Sequence, residues 1–216
     1  MEGGFAVYTD EAGEVALREH FPSATASAVA AVEDAWRTFH HGVVVGRLWV
    51  GPPWEQAPAG PAAAIVIDPG RAFGTGAHAT TRLCLELLQE LEPASLLDVG
   101  CGSGVLSIAA ARLGFAPITG LDVDDAAVEA TLANAHVNGV ELAAHHADAL
   151  VDELPRAEIV VANVALDVVE RLLPRLSARW VIASGYLERD ELRADGWRRA
   201  GRRVVDGWAA DLLERA

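Results

Sequence analysis

Apolar and polar positions along this chain follow two periods. Short runs at 96–99, 117–123, 143–148, 159–163 and 180–184 read as strands, and the apolar run at 159–163 as a strand buried on both faces. Between them lie segments with apolar residues at helical spacing. In the segment following 96–104, Leu106, Ala109, Ala110 and Leu113 fall at i, i+3, i+4 and i+7, and so share one helix face. Gly114 then stands where a helix favours a left-handed C-terminal residue. Further helices are expected at 79–91, 124–138, 166–178 and 187–199, with two antiparallel strands in the tail at 202–206 and 208–215. The alternation predicts an α/β fold, Rossmann-like and doubly wound, with a mainly parallel sheet.

The first sixty residues break this rhythm. They read as a strand at 5–9, a helix at 11–20, a strand-like run at 25–32, a short helix at 33–40, and a strand over 47–54 ending in a proline turn. The Pro, Ala and Gly content of 56–61 marks a linker. The expected organisation is a partial α+β fragment at 1–35, a linker region at 36–61, and the main domain at 62–216. A fragment of that size buries too little surface to stand alone.

The chemistry concentrates in loops. Leu96-Leu-Asp-Val-Gly-Cys-Gly-Ser-Gly104 runs from a strand into a turn with glycine at 100, 102 and 104, and then into a helix. Glycine lets backbone approach a ligand, and the helix N-terminus favours electron-rich atoms. Val105 stands where the dinucleotide pattern G-x-G-x-x-G needs its third glycine, which excludes an NAD-type loop. Asp122 closes the next strand about 20 residues beyond Gly100, the spacing of a ribose-hydroxyl acceptor. Asp148 closes the third strand, either as an adenine contact or as a helix cap, and Asn163 ends an otherwise apolar strand. Asp98, Gly100, Asp122, Asp148 and Asn163 thereby fall at the carboxyl ends of successive strands, on one rim of one sheet. Upstream, Asp68-Pro-Gly-Arg-Ala-Phe-Gly-Thr-Gly-Ala-His-Ala-Thr-Thr81 is a strand exit, a glycine-flanked loop and a helix start. Thr80 or Thr81 is either a first-turn cap or a ligand contact.

Composition narrows the function further. The net charge of −14 argues against broad phosphate-backbone binding and fits a small-molecule site or a basic protein partner. All 17 cationic side chains are arginine, so no lysine of this chain serves as Schiff base or general base. The two cysteines, Cys84 and Cys101, and the seven histidines show no metal-ligand spacing, and no metal is expected. No apolar run approaches the roughly 20 residues of a membrane span, and no signal pattern opens the chain, so a cytoplasmic location without membrane contact is expected.

Four stretches together resemble PrmA-type enzymes: 68–81, Leu97-Asp-Val-Gly-Cys-Gly-Ser-Gly-Val-Leu106, Gly120-Leu-Asp-Val-Asp124 and Val160-Val-Ala-Asn163. Trp36-Arg-Thr-Phe-His40 and Arg47-Leu-Trp-Val-Gly-Pro-Pro-Trp54 resemble the same family's approach to its catalytic domain, so the similarity covers about residues 33–216. These are bacterial methyltransferases that use S-adenosylmethionine, releasing S-adenosylhomocysteine, to methylate amino groups of the stalk-base protein of the large ribosomal subunit. The resemblance implies a seven-stranded methyltransferase sheet and cofactor contacts from Thr81, Gly100, Asp122 and Asn163. Asp98, Gly102, Gly104 and Asp148 would complete that site. The loop of Phe73, Gly74, Thr75 and Gly76, continuing to His78, would cover the methyl group. Asn163 would orient the incoming amine or hold the methionine portion. His78 would either take a proton or order the loop. The stalk-base ribosomal protein is the implied substrate, with no direct nucleic-acid binding and a monomer or weak dimer expected. Family members usually begin with a complete small α+β recognition domain. Only about 35 residues precede the tryptophan motif here, which implies a shortened one. Two alternatives stay open: a methyltransferase of another protein-lysine or small-molecule substrate, and a non-catalytic S-adenosylmethionine-binding protein.

Overall fold

The computed structural model describes residues 41–68 and 76–216. The elements expected before residue 41, the 1–35 fragment, and loop residues Phe73, Gly74 and Thr75 lie outside them.

Three short strands come first: β1 (Val43–Val45), β2 (Leu48–Gly51) and β3 (Ala63–Val66). The order is β1-β2-β3, antiparallel then parallel. The 36–61 region expected as a linker therefore supplies two strands to the compact unit that spans His40–Ala216. The physical reason is apolar burial, since Val45, Leu48 and Val50 all join the main core. Gln89 fastens the β1–β2 turn from outside: its side chain accepts from Arg47 N and donates to Val45 O.

The main sheet then alternates with helices: α1 (Ala79–Leu88), β4 (Leu96–Val99), α2 (Val105–Arg112), β5 (Ile118–Asp122), α3 (Asp125–Val137), β6 (Ala143–His146), β7 (Ile159–Asn163), α4 (Leu166–Leu172), β8 (Trp180–Leu187), β9 (Trp197–Val205) and β10 (Trp208–Arg215). The seven strands are ordered β6-β5-β4-β7-β8-β10-β9. Strands β6, β5, β4, β7 and β8 run parallel, while β10 is antiparallel to both β8 and β9.

Successive residues of the central strands serve opposite faces, as the period of two requires. Leu96, Ile159, Val161 and Ile182 enter a core shared with α1 and α2, whereas Leu97, Val160, Ala162 and Val181 enter a second core with α4. Both faces are thus covered, which explains the apolar run of β7. The chain winds outward from β4 in one direction and from β7 in the other. The gap between these two strands is the switch point where such sheets bind ligands.

Two expected helices are revised. The 187–199 helix does not form. Strand β8 continues to Leu187, Asp190 makes a tight turn by accepting from Leu187 N at 2.9 Å, and β9 begins at Trp197. The 166–178 helix stops at Leu172 and finishes as a 3-10 turn over Leu173–Arg175, because Pro174 supplies no N–H for continued α pairing. The tail hairpin forms as expected, with Asp206 and Gly207 both at positive φ between β9 and β10.

Candidate functional site

At the carboxyl ends of β4, β5 and β7 lies a cavity of ≈ 380 Å³, a size that suits a nucleoside-like ligand. Thr81, Gly100, Gly102, Asp122, Asp148 and Asn163 all line it, so six of the residues expected to hold cofactor meet around one space. Leu121, Val123, Leu150 and Val168 supply much of its apolar wall.

The glycine loop forms the floor. Gly100, Gly102 and Gly104 adopt φ of 74°, 56° and 80°, a region open to glycine at little cost. A Cβ on Gly104 would meet the Thr131 backbone at 3.0 Å, so α3 lies too close for any side chain there. Asp122 braces this loop: its Oδ2 accepts from Gly102 N at 3.0 Å and its Oδ1 from Asp124 N at 3.1 Å. A carboxylate accepts about four hydrogen bonds, so Asp122 retains capacity for two more donors, such as vicinal hydroxyls.

Asp98 is placed otherwise. It is buried beneath the loop, where Oδ2 accepts from Ser107 N at 3.1 Å and from Ser107 Oγ at 2.7 Å. Its Oδ1 is buried without a hydrogen-bond partner among the described residues. Burial pushes this carboxyl up to about 6, against the lowering effect of the Ser107 bonds, and the nearby Asp122 charge adds to the rise. Asp98 reaches the cavity only through the α2 N-terminus that it anchors. Burial also raises the Cys101 thiol to about 12, and lifts that of Cys84 further still, so both stay protonated at neutral pH.

On the opposite side, Asn163 Nδ2 lies 3.4 Å from Thr81 Oγ1, and its Oδ1 takes no bond from the described residues. The cap of α1 falls to neither Thr80 nor Thr81: His78 is the N-cap. Its Nδ1 accepts from Thr80 N at 3.3 Å and lies 2.8 Å from the Thr80 hydroxyl. The His78 ring also stands edge-on to Trp208, centroids 5.0 Å apart. Gly76, at φ 87°, packs its α-carbon against Val50. At Asp148 no helix follows to be capped: the residue heads a turn over 149–152, Oδ1 accepting from Leu150 N at 2.8 Å, and it also faces the cavity.

Several contributors escape sequence reasoning. Gly185 in β8 turns to φ 103°, and any Cβ there would collide with the Val164 carbonyl beside the cavity. Thr131, Asn134 and Asn138 reach the glycine loop and β3 from α3. Their i, i+3, i+7 spacing was the available signal, a polar stripe on what proves to be a buried face.

Strand order, antiparallel edge hairpin and rim cavity together define the class as a Rossmann-like fold of the methyltransferase type, one that a solved methylase shares. The family model described as "Ribosomal protein L11 methyltransferase (PrmA)" matches residues 16–194, and the chain belongs to that family. A Ribosomal protein L11 methyltransferase of Dechloromonas aromatica is 47% identical over 134 residues, which cover 61% of this chain and 45% of that protein. Its counterpart in Symbiobacterium thermophilum is 41% identical over 195 residues, covering 82% and 64%. The crystal structure of ribosomal protein L11 methylase from Lactobacillus delbrueckii subsp. bulgaricus superposes with a TM-score of 0.72 at 28% identity. That superposition covers 81% of this chain and 98% of the solved one. The chain spans about half the length of several curated relatives it matches. Among the described residues, no helix is long and apolar enough to cross a membrane.

Proposed function

We propose that this chain is an S-adenosylmethionine-dependent N-methyltransferase that acts on amino groups of the large-subunit stalk-base ribosomal protein, in the cytoplasm. The observation that carries the reading is the convergence of Thr81, Gly100, Asp122 and Asn163 on one cavity at the sheet's switch point. The donor set fits S-adenosylmethionine. Asp122 has carboxylate capacity for a ribose, and Gly100 and Gly102 bare their backbone for the methionine portion. Leu121, Val123 and Leu150 offer apolar surface for a base, with Asp148 beside it. When bound, that cofactor supplies an electrophilic methyl group on a sulfonium.

The chain's own residues then align and dehydrate. Methyl transfer is an in-line displacement, so positioning dominates the rate. Asn163 presents an acceptor oxygen with which to orient an incoming amine, while Thr81 fixes its amide. A lysine amine with pKa near 10.4 costs roughly 4.6 kcal/mol to deprotonate at pH 7, and an α-amine near 8 roughly 1.4 kcal/mol. Desolvation at the cavity mouth lowers that cost. His78 is engaged as a helix cap, which favours loop ordering as its role over proton transfer. Residues 1–35 would serve as a partial recognition fragment, and the acidic net charge suits a basic protein substrate.

The test is mass spectrometry of the same organism's stalk-base protein after incubation with this chain and S-adenosylmethionine. Gains in whole methyl increments are expected. Absence of gain with S-adenosylhomocysteine binding intact would retarget the enzyme to another amine, and absence of both would overturn the assignment. Asn163→Ala is expected to lower turnover at least tenfold while changing cofactor affinity about threefold or less. Equal losses in both would make Asn163 a cofactor-binding group alone.

A further inference from the structure

One face of α3 is polar where it should be apolar. Thr131, Asn134 and Asn138 are all buried there. Buried amides and hydroxyls are costly unless paired, and these are paired with the glycine loop, with β3 and the chain just beyond it, or with their own helix. Thr131 Oγ1 donates to Gly102 O at 3.0 Å. Asn138 acts as a missing strand beside β3: its Oδ1 accepts from Val66 N at 2.9 Å and its Nδ2 donates to Val66 O at 2.6 Å. Asn134 does both jobs. Its Nδ2 donates to Ser103 O at 2.9 Å, inside the glycine loop, and its Oδ1 accepts from Asp68 N at 3.2 Å, where the chain enters the 69–75 loop.

We propose that Asn134 is a positioning residue that ties the glycine loop to the backbone at Asp68, holding the glycine loop in the geometry that receives cofactor. The inference rests on the methyltransferase reading above. Neither Asn134 nor Asp68 lines the cavity, so the effect is transmitted through backbone. A loop with three left-handed glycines has large conformational freedom to lose; backbone bonds hold Gly100, Cys101 and Gly104, and side chains from other segments hold its middle. Gly102 and Ser103 are held by Asp122, Thr131 and Asn134. Removing one restraint transfers the ordering cost to ligand binding. Asn138 shares the helix face and the burial but touches no residue of the glycine loop, which makes it the internal control.

The experiment uses the full chain, with S-adenosylhomocysteine as the probe, calorimetry for affinity, thermal melting for stability, and hydrogen exchange at the Asp68 amide. The parent binds, and the probe slows exchange at Asp68. Asn134→Ala binds about tenfold more weakly and loses that slowing. Asn134→Asp, near in shape and retaining the acceptor for Asp68 N, loses the donor to Ser103 and binds as weakly. It also carries the test if the alanine variant does not fold. Asn138→Ala melts at lower temperature yet binds within about twofold of the parent and keeps the slowing. Unchanged affinity in both Asn134 variants, or equal weakening in Asn138→Ala, overturns the role of Asn134. A parent that binds no probe overturns the methyltransferase reading itself, and this inference with it.

Discussion

Asp98 couples the fold to pH in a direction opposite to most carboxylates. Its ordinary value is 3.8 and burial holds it at about 6 in the folded chain, so the folded state keeps a proton that the unfolded state has released. Stability is therefore greatest below about 4, falls as pH rises from 3.8 toward 6, and levels off above, for a total of about 3 kcal/mol. Asp98→Asn removes this dependence. Its stability relative to the parent is expected to rise by roughly 1–1.5 kcal/mol between pH 5 and pH 7.5, as read from urea titrations at each pH. A difference that stays flat would mean the carboxyl is not raised. Gly185 makes a steric prediction at the same scale. Alanine there meets the Val164 carbonyl and a positive φ, so a loss of about 1–3 kcal/mol is expected, with weaker S-adenosylhomocysteine binding because Val164 lines the cavity. Thermal melting and calorimetry on Gly185→Ala read both effects.

The helix α1 shows how elements share the task of placing the site. Its N-terminus is capped by His78, its second turn is joined to the hairpin by Arg82 to Asp206 at 2.9 Å, and Trp208 of β10 stands against the capping ring. Exposure makes the ion pair a minor contributor, whereas the ring contact is half-buried and worth more. Trp208→Ala is expected to cost about 1–3 kcal/mol, less than a fully buried ring, with Trp208→Phe recovering most of it in denaturant titration. Strand β10 carries a buried carboxylate as well. Asp211 accepts from the Tyr186 hydroxyl at 2.9 Å and pairs with Arg199 at 2.9 Å, and burial raises the Tyr186 phenol well above its ordinary value. The arginines of β9 thus neutralise a charge that β10 brings into the interior. This pairing explains why 197–205 is a strand despite its polar composition, and why the helix expected over 187–199 gives way to strand from Trp197: the decisive partner lies on a later strand.

At the scale of the whole molecule, a net charge of −14 would draw the proposed basic protein substrate by long-range attraction, which salt screens. Raising ionic strength from about 50 to about 500 mM is expected to increase KM for a ribosomal-protein acceptor severalfold, with kcat nearly unchanged, in steady-state methylation assays. A salt-independent KM would remove charge from the recognition account. Much of this architecture is local enough to be read in order along the chain. Strand β7 announces itself by an apolar run unbroken up to Asn163, because both of its faces are covered. The Leu96–Gly104 turn needs its glycines for positive φ and for the close approach of Val164 and Thr131, and Asp122 and Asn163 stand out as polar residues at the ends of buried strands. Sequence therefore determined the fold class and the rim on which the site lies. Only tertiary structure decided the rest. Which partner satisfies a buried polar group depends on contacts from distant segments: Asn134 with both Ser103 and Asp68, Asp98 with Ser107 below the loop rather than in the cavity, and His78 rather than a threonine at the cap of α1. Periodicity encodes which face an element buries. It does not encode what waits on the other side, and hydrogen-bond geometry, set by the meeting of two surfaces, is fixed only once they have met.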